Sequence, residues 1–136
     1  ERGSDYNRDN DARSDFPFCV PISTQCLHAA GAALKFKLNK EPQIAVAVCG
    51  DGGSSKTDFY AALNSAGAYE LPLILCVINN GWAISVPRKA QTGAKTLAQK
   101  GLAGGLHCLQ VDGNDLVAVL EAMRTGSGAA ARQAMN

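Results

Sequence analysis

Two apolar runs, each followed by a polar cluster that contains glycine, constrain the fold of this chain more than any other feature of its sequence. The first run is QIAVAVCG at residues 43–50, and the second is LPLILCVI at residues 71–78. Runs of this length with β-branched residues are typical of strands buried on both faces of a parallel sheet. The sequence therefore predicts two parallel strands joined by the segment between them.

Segments with apolar residues at helical spacing surround the two predicted strands. The first of them places apolar residues at intervals of three and four: Leu27, Ala30, Leu34 and Leu38. Patterns of this kind predict helices at 23–38, 54–69, 95–103 and 114–124, with a third, short strand at 107–113. The alternation favours the α/β class, as an open parallel sheet with helices on both faces.

Two of the predicted helices begin with capping signals. Ser55 and Asp58 have the spacing of a capping box at the start of the second helix. Asn114 stands where the last helix begins and is a favoured N-cap residue. We therefore expect side chains to bind the first free N–H groups of both helices.

Length and charge limit the class of protein further. The chain has 136 residues, with 13 basic and 12 acidic side chains. The length is that of one domain, the near-zero net charge argues against nucleic acid or a membrane surface as a partner, and no apolar run approaches the ~20 residues that cross a bilayer. We expect a soluble domain at 16–124, a charged loop or disordered arm at 1–15, and a frayed tail at 125–136.

The cysteines are scattered along the chain without a CxxC pair, and the two histidines are far apart. A zinc site would need ligands in closer groups. We therefore expect reduced thiols that pack as small apolar side chains, which is typical of a cytosolic protein. The cysteines are Cys19, Cys26, Cys49, Cys76 and Cys108.

The polar clusters after the two strands are the candidate site. Gly50-Asp51-Gly52-Gly53 follows the first strand and Asn79-Asn80-Gly81-Trp82 follows the second, with 26 residues between Gly52 and Asn79. A βαβ unit has about this length, so both clusters belong at the carboxyl edge of the sheet, where ligands bind in such folds. The carboxylate of Asp51 and the amide oxygen of Asn80 suit magnesium.

The glycines of the first cluster allow an anion to come close to the backbone. Without side chains, Gly50, Gly52 and Gly53 leave their N–H groups accessible, and the helix that follows presents its positive end. Together with the oxygen ligands, this predicts a magnesium-bridged diphosphate. The alternative is that both clusters are only turns between elements.

The segment 50–87, GDGGSSKTDFYAALNSAGAYELPLILCVINNGWAISVP, resembles the thiamine-diphosphate fingerprint, in which GDG is followed by NN. More narrowly, it is similar to the α subunit of the decarboxylating component of 2-oxo acid dehydrogenase complexes, of the pyruvate or branched-chain type. The flanking segments 16–38 and 94–119 are similar to that family too, so the likeness covers about residues 16–124. Members are much longer, and we therefore expect a central fragment of an incomplete thiamine-diphosphate-binding fold.

The resemblance implies roles for the residues of both clusters. Asp51, Asn80 and the backbone carbonyl of Trp82 would bind magnesium, and Gly52 and Gly53 would contact the diphosphate. No catalytic residue is expected in this chain, because the carboxylate that activates the cofactor comes from the β subunit in this family.

Residues before the first helix also match positions with family roles. Val20 and Ile22 fall where members line the pyrimidine of the cofactor. Thr24 and Gln25 fall where some members bind a structural potassium ion, whereas Cys19 replaces a serine ligand there.

The same resemblance implies an activity and partners. These are oxidative decarboxylation of a small 2-oxo acid, acyl transfer to the lipoyl group of an acyltransferase, and an α2β2 assembly with the β subunit. The location would be the cytoplasm of a bacterium or the mitochondrial matrix, and the isolated fragment should be inactive. Neither nucleic acid nor a membrane is expected as a partner.

Other functions stay open at this point. A branched-chain 2-oxo acid or acetoin dehydrogenase α subunit would have the same cofactor motif. GDGGSSKT nearly matches the P-loop pattern, with Lys56 and Thr57 in its last two places but Ser55 in place of the second glycine. A third alternative is a truncated, non-catalytic fragment whose exposed strands associate with a partner.

Overall fold

The computed structural model describes residues 19–135, so the arm predicted at 1–15 lies outside the described residues. A 3₁₀ turn at Gly53–Ser55 precedes the second helix. The helices are α1 (Thr24–Leu38), α2 (Thr57–Ala68), α3 (Arg88–Gln91), α4 (Ala98–Ala103) and α5 (Leu116–Met135), and the strands are β1 (Ala45–Gly50), β2 (Leu73–Ile78), β3 (Trp82–Ala83) and β4 (Val86–Pro87).

The two predicted strands pair in parallel and form the central sheet of the described part of the chain. Their register runs from Ala45 opposite Leu73 to Gly50 opposite Ile78. This confirms the α/β class and the open parallel sheet, with α1 and α2 packed against one face.

Within the described residues, one face of β1 is covered and the other is not. Cys49 and the alternate residues before it face the core, whereas Val46 and Val48 are 46% and 48% exposed. The prediction of a strand buried on both faces was therefore wrong for β1, because a strand within a sheet needs a second packing layer to bury its other side.

Helix α5 supplies part of that second layer, beside β2. A Cβ atom at Gly126 would lie 3.6 Å from Cδ1 of Ile74. Ile74 pairs with Val46 and so faces away from α1 and α2. Helices therefore lie on both faces of the sheet, as predicted.

The core is built largely from alanine and cysteine, so the helices approach each other and the sheet closely. The predicted face of α1 is confirmed for Ala30, which is buried, and for Leu27 and Leu34, which pack against the core, whereas Leu38 is exposed. The small side chains are the ones that fit between α1 and the sheet. The buried residues of α1 are Cys26, Ala29, Ala30 and Ala33.

The C-terminal part of the chain differs from its prediction in three ways. Residues 107–113 form no strand, because no described segment pairs with them. Residues 125–135 continue α5 instead of forming an irregular tail, since this stretch is rich in alanine, the best helix former. The N-cap is Asp115, not Asn114: Oδ1 of Asp115 accepts hydrogen bonds from Val117 N at 2.9 Å and Ala118 N at 3.1 Å.

The capping box predicted for α2 does not form. Asp58 Oδ2 accepts a hydrogen bond from Thr24 Oγ1 at 2.6 Å, and Ser55 Oγ donates to Gln91 O at 3.4 Å. Both side chains are used in tertiary contacts, so neither binds the helix start. Among the described residues, no helix is long and apolar enough to span a membrane.

Candidate functional site

The carboxyl ends of β1 and β2 adjoin each other directly. The backbone N–H of Asp51 donates to the carbonyl of Ile78 at 3.0 Å, one residue beyond the last pair of the sheet. Asn79 and Asn80 follow Ile78 immediately. The structure thus places the two clusters that the sequence singled out at the same edge of the sheet.

The Asp51 side chain is 2% exposed. Its Oδ2 accepts one hydrogen bond, from Gln91 Nε2 at 3.3 Å. Within residues 19–135, no lysine, arginine or histidine forms an ion pair with it. A buried carboxylate is stable only when a cation or several hydrogen-bond donors compensate its charge. The single hydrogen bond to Asp51 among the described residues leaves most of its charge uncompensated, which fits a bound metal ion.

The two asparagines of the second cluster hold the chain in a turn. Asn79 Oδ1 accepts from Gly81 N at 3.2 Å, and Asn80 Oδ1 accepts from Trp82 N at 2.9 Å. Gly81 has a φ of 83°, which glycine adopts without strain. An amide oxygen has a second lone pair, so Asn80 Oδ1 retains the capacity to bind a metal ion.

Trp82 begins a short hairpin in the segment predicted as a loop. It pairs with Pro87, and its side chain is exposed. The hairpin packs on the glycine cluster, because a Cβ atom at Gly52 would collide with Cβ of Ala83. Glycine at position 52 is thus required for the packing of the hairpin on the turn.

The residues Asp51–Ser55 form a tight turn, which we call the Asp51–Ser55 turn. Its backbone hydrogen bonds use the N–H groups of Ser54, Ser55 and Lys56. The N–H groups of Gly52 and Gly53 have no acceptor in the described part of the chain. Two free N–H groups at the start of a helical segment suit an anion such as phosphate.

The segment before α1 is bound to this turn through Ser23, a residue that the sequence did not single out. Ser23 is buried with a φ of 71°, and its Oγ donates to Gly53 O at 2.7 Å. Ile22 lies beside the turn, since a Cβ atom at Gly53 would be 3.6 Å from Ile22 Cγ2. Val20 and Ile22 are 76% and 61% exposed, which leaves an apolar surface next to the strand ends.

Thr24 and Gln25 differ in how their polar groups are used. The Thr24 hydroxyl donates to Asp58, as described above, and Gln25 Nε2 donates to Val48 O at 3.0 Å. Gln25 Oε1 is buried and has no hydrogen-bond partner among the described residues. An oxygen atom of this kind can act as a ligand of a bound cation.

Lys100 is a second feature that the sequence analysis missed. It belongs to α4, is 6% exposed, and donates from Nζ to Ser54 O at 2.8 Å, Ser54 Oγ at 2.9 Å and Ser55 Oγ at 3.1 Å. Burial lowers the pKa of Lys100 from its ordinary value; Arg88 acts in the same direction, whereas Cys49 and Asp51 act in the opposite one. No local pattern marks this lysine, because only the tertiary path of the chain after β4 brings it to the turn.

The cysteines are free thiols, and two of them lie in the core beside the turn. A hydrogen bond between Cys26 and Cys49, together with burial, raises the pKa of Cys49. Cys49 therefore stays a neutral thiol and packs as an apolar side chain, as predicted for core cysteines.

Fold and site together define an α/β chain with a candidate metal- and anion-binding edge at the carboxyl ends of two parallel strands. The family model described as "Dehydrogenase E1 component" matches residues 8–134. The chain belongs to this family, which confirms the resemblance found in the sequence.

Relatives that match most of the chain are bacterial proteins named pyruvate dehydrogenase E1 component subunit alpha. The one from Staphylococcus aureus is 47% identical over 105 residues, which cover 77% of this chain and 28% of the relative. The one from Bacillus cereus is 46% identical over 103 residues, 76% of this chain and 28% of the relative. The chain thus spans a little over a quarter of the length of the curated relatives it matches.

Proposed function

We propose that this chain supplies the magnesium- and diphosphate-binding segment of the α subunit of a pyruvate dehydrogenase-like E1 component. The observation that carries the proposal is the buried Asp51 carboxylate, which follows β1 and has no ion-pair partner within the described residues. It lies at the strand end that adjoins Asn79 and Asn80. Membership of the family and the names of the relatives support the same assignment.

Three hard oxygen atoms would hold the magnesium ion. They are a carboxylate oxygen of Asp51, the amide oxygen of Asn80 and the backbone carbonyl of Trp82. This set leaves positions on the ion for phosphate oxygens, which is how magnesium usually binds in nucleotide and diphosphate sites. The burial of Asp51 favours the metal-bound state, because the ion compensates a carboxylate that otherwise has one hydrogen-bond donor.

The diphosphate would bind the backbone of the Asp51–Ser55 turn. The N–H groups of Gly52 and Gly53 have no acceptor among the described residues and would donate to its oxygens. Gly50, before them, leaves the end of β1 without a side chain; a Cβ atom there would meet nothing within 4 Å. The P-loop alternative is less well supported, because Lys56 is exposed and the family match points to a different cofactor.

Val20 and Ile22 would line the apolar part of the same cofactor. Their exposure leaves an apolar surface beside Gly53, and binding a heterocyclic ring there would bury it. When bound, thiamine diphosphate supplies the electron sink for decarboxylation of a 2-oxo acid, whereas the protein positions it. The chain's own residues bind and orient the cofactor, and we place no acid or base of the reaction on them.

Further parts of the assignment follow from the family. We propose a β subunit as partner in an α2β2 assembly, a 2-oxo acid as substrate, and a lipoyl-bearing acyltransferase as acyl acceptor. The bacterial relatives support a cytoplasmic location. A potassium ion at Thr24 and Gln25 is also proposed, supported by the buried Gln25 Oε1, which has no hydrogen-bond partner among the described residues.

Calorimetric titration tests the proposal directly. The full-length α chain, assembled with its β subunit, is titrated with thiamine diphosphate in the presence of magnesium and again in the presence of a chelator. We expect binding only with magnesium, and loss of this binding in Asp51→Ala. Asp112→Ala is the matched control, because Asp112 is an exposed carboxylate in the loop before α5.

Two results would contradict the proposal. Unchanged affinity in Asp51→Ala would exclude Asp51 as the metal ligand. Magnesium-dependent binding of ATP in place of thiamine diphosphate would favour the P-loop alternative.

A further inference from the structure

The buried ammonium group of Lys100 is fully used in binding the Asp51–Ser55 turn. An ammonium group has three N–H donors, and Lys100 makes three hydrogen bonds, all to Ser54 and Ser55. The contact joins residues 45 or 46 positions apart in the sequence. Lys100 therefore has no donor left for a ligand while these bonds exist.

Ser54 passes the constraint on to Asp51. Its Oγ accepts from Lys100 Nζ at 2.9 Å and donates to the backbone carbonyl of Asp51 at 2.6 Å. Its own N–H donates to the same carbonyl at 3.2 Å. Ser54 therefore holds the backbone carbonyl of Asp51 in place. The orientation of the Ser54 hydroxyl depends on its hydrogen bond with Lys100.

The charge of Lys100 is unusual for a residue that only packs. The side chain is 6% exposed, and within residues 19–135 no carboxylate lies at ion-pair distance from Nζ. The nearest aromatic ring, that of Tyr60, has its centroid 5.5 Å from Nζ. The charge of Asp51 favours the protonated lysine without a direct ion pair. A buried cation that lacks an ion pair is costly, and an anion bound at the turn would offset part of that cost.

We propose that Lys100 is a positioning residue of the diphosphate site. It holds the turn through Ser54 and places a positive charge next to the turn that carries the N–H groups of Gly52 and Gly53. This inference rests on the proposed function, since it assumes that the turn binds a diphosphate. It adds a residue of α4 to a site that otherwise consists of the ends of β1 and β2 and the segments next to them.

Lys100→Met tests the inference, because methionine keeps an unbranched apolar chain and removes the charge and all three donors. The full-length α chain assembled with its β subunit is titrated with thiamine diphosphate at saturating magnesium. We expect the dissociation constant to rise about tenfold. Lys95→Met is the matched control, since Lys95 lies upstream in the same segment with an exposed side chain. This variant should bind thiamine diphosphate with the same affinity as the unmodified protein.

A double-mutant cycle separates positioning from a general effect on folding. Ser54→Ala removes the hydroxyl between Lys100 and Asp51, and it is expected to weaken cofactor binding by itself. Because both residues act through one hydrogen-bonded chain, the double variant should lose much less affinity than the product of the two single losses. Ser54→Ala also tests the inference if Lys100→Met fails to fold.

The outcomes distinguish this inference from the proposed function. If the unmodified assembly does not bind thiamine diphosphate with magnesium, the proposed function fails. If it binds and Lys100→Met binds equally well, or if the effects of the two substitutions multiply, the role of Lys100 is refuted while the proposed function stands.

Discussion

Gln91 donates a hydrogen bond from Nε2 to Oδ2 of Asp51 at 3.3 Å, across 40 residues of sequence. The same Nε2 atom donates to the carbonyl of Val86 at 3.0 Å, so the β3–β4 hairpin and the Asp51 carboxylate are held by one amide group. Gln91 Oε1 is buried without a partner in the described part of the chain. This side chain therefore sets the orientation of the proposed metal ligand.

Replacing Gln91 should weaken the site without removing it. Gln91→Met deletes the hydrogen bond to Asp51, and a bond to a carboxylate at this length and partial exposure contributes about 1 kcal/mol. We expect the dissociation constant for thiamine diphosphate at limiting magnesium to rise about fivefold. Calorimetry on the assembled enzyme measures this constant, with Gln110→Met as the control at an exposed position. An unchanged constant would show that Asp51 is oriented without Gln91.

The close approach of α2 to the end of α4 predicts a pair of opposite effects on stability. A Cβ atom at Gly67 would collide with the carbonyl oxygen of Gly104, whereas one at Gly31 in α1 would meet nothing within 4 Å. Gly67→Ala should lower the free energy of unfolding by about 1–3 kcal/mol through overpacking. Gly31→Ala should raise it by up to ~1 kcal/mol, because alanine favours an exposed helix over glycine.

Urea unfolding of the two glycine variants measures these effects as shifts of the transition midpoint at constant slope. Each variant is the other's control, since both add one methyl group to a helix. Equal shifts for the two would contradict the close contact between Gly67 and Gly104.

The placement of Asp51 beside Asn79 and Asn80 was predictable from sequence. Two apolar runs one βαβ unit apart imply parallel strands, and the carboxyl ends of such strands always share an edge. The alternating exposure of β1 was not predictable in the same way, because the residues at Val46 and Val48 are apolar whether or not a layer covers them.

The supporting residues of the site could not be found from local patterns. Ser23, Gln91 and Lys100 reach the Asp51–Ser55 turn from three separate segments. Each contact depends on the path of a loop, and nothing in the spacing of these residues encodes that path. The same reason explains the failed capping box, since Asp58 is bound by Thr24 of a different helix.

The start of α5 depends on one carboxylate. Asp115 Oδ1 accepts from the N–H groups of Val117 and Ala118, so Asp115→Ala should cost about 1 kcal/mol of stability. Asp115→Asn keeps a hydrogen-bond acceptor at the same position, so its free energy of unfolding should fall by only a few tenths of the loss in Asp115→Ala. Thermal unfolding followed by circular dichroism compares the two, and equal losses would contradict the N-cap assigned here.

The environment of Cys49 predicts that its thiol resists alkylation in the folded protein. Burial and the hydrogen bond with Cys26 raise its pKa, so at about pH 8, where ordinary thiols begin to ionise, Cys49 stays protonated. The thiolate is the form that reacts with iodoacetamide, and a higher pKa lowers its fraction at every pH below that value. The half-buried Cys19 is the internal control. Mass spectrometry of labelled peptides should show Cys49 modified much more slowly than Cys19, and at a similar rate once urea unfolds the chain. Equal labelling rates in the folded protein would contradict the burial of Cys49 between α1 and the turn.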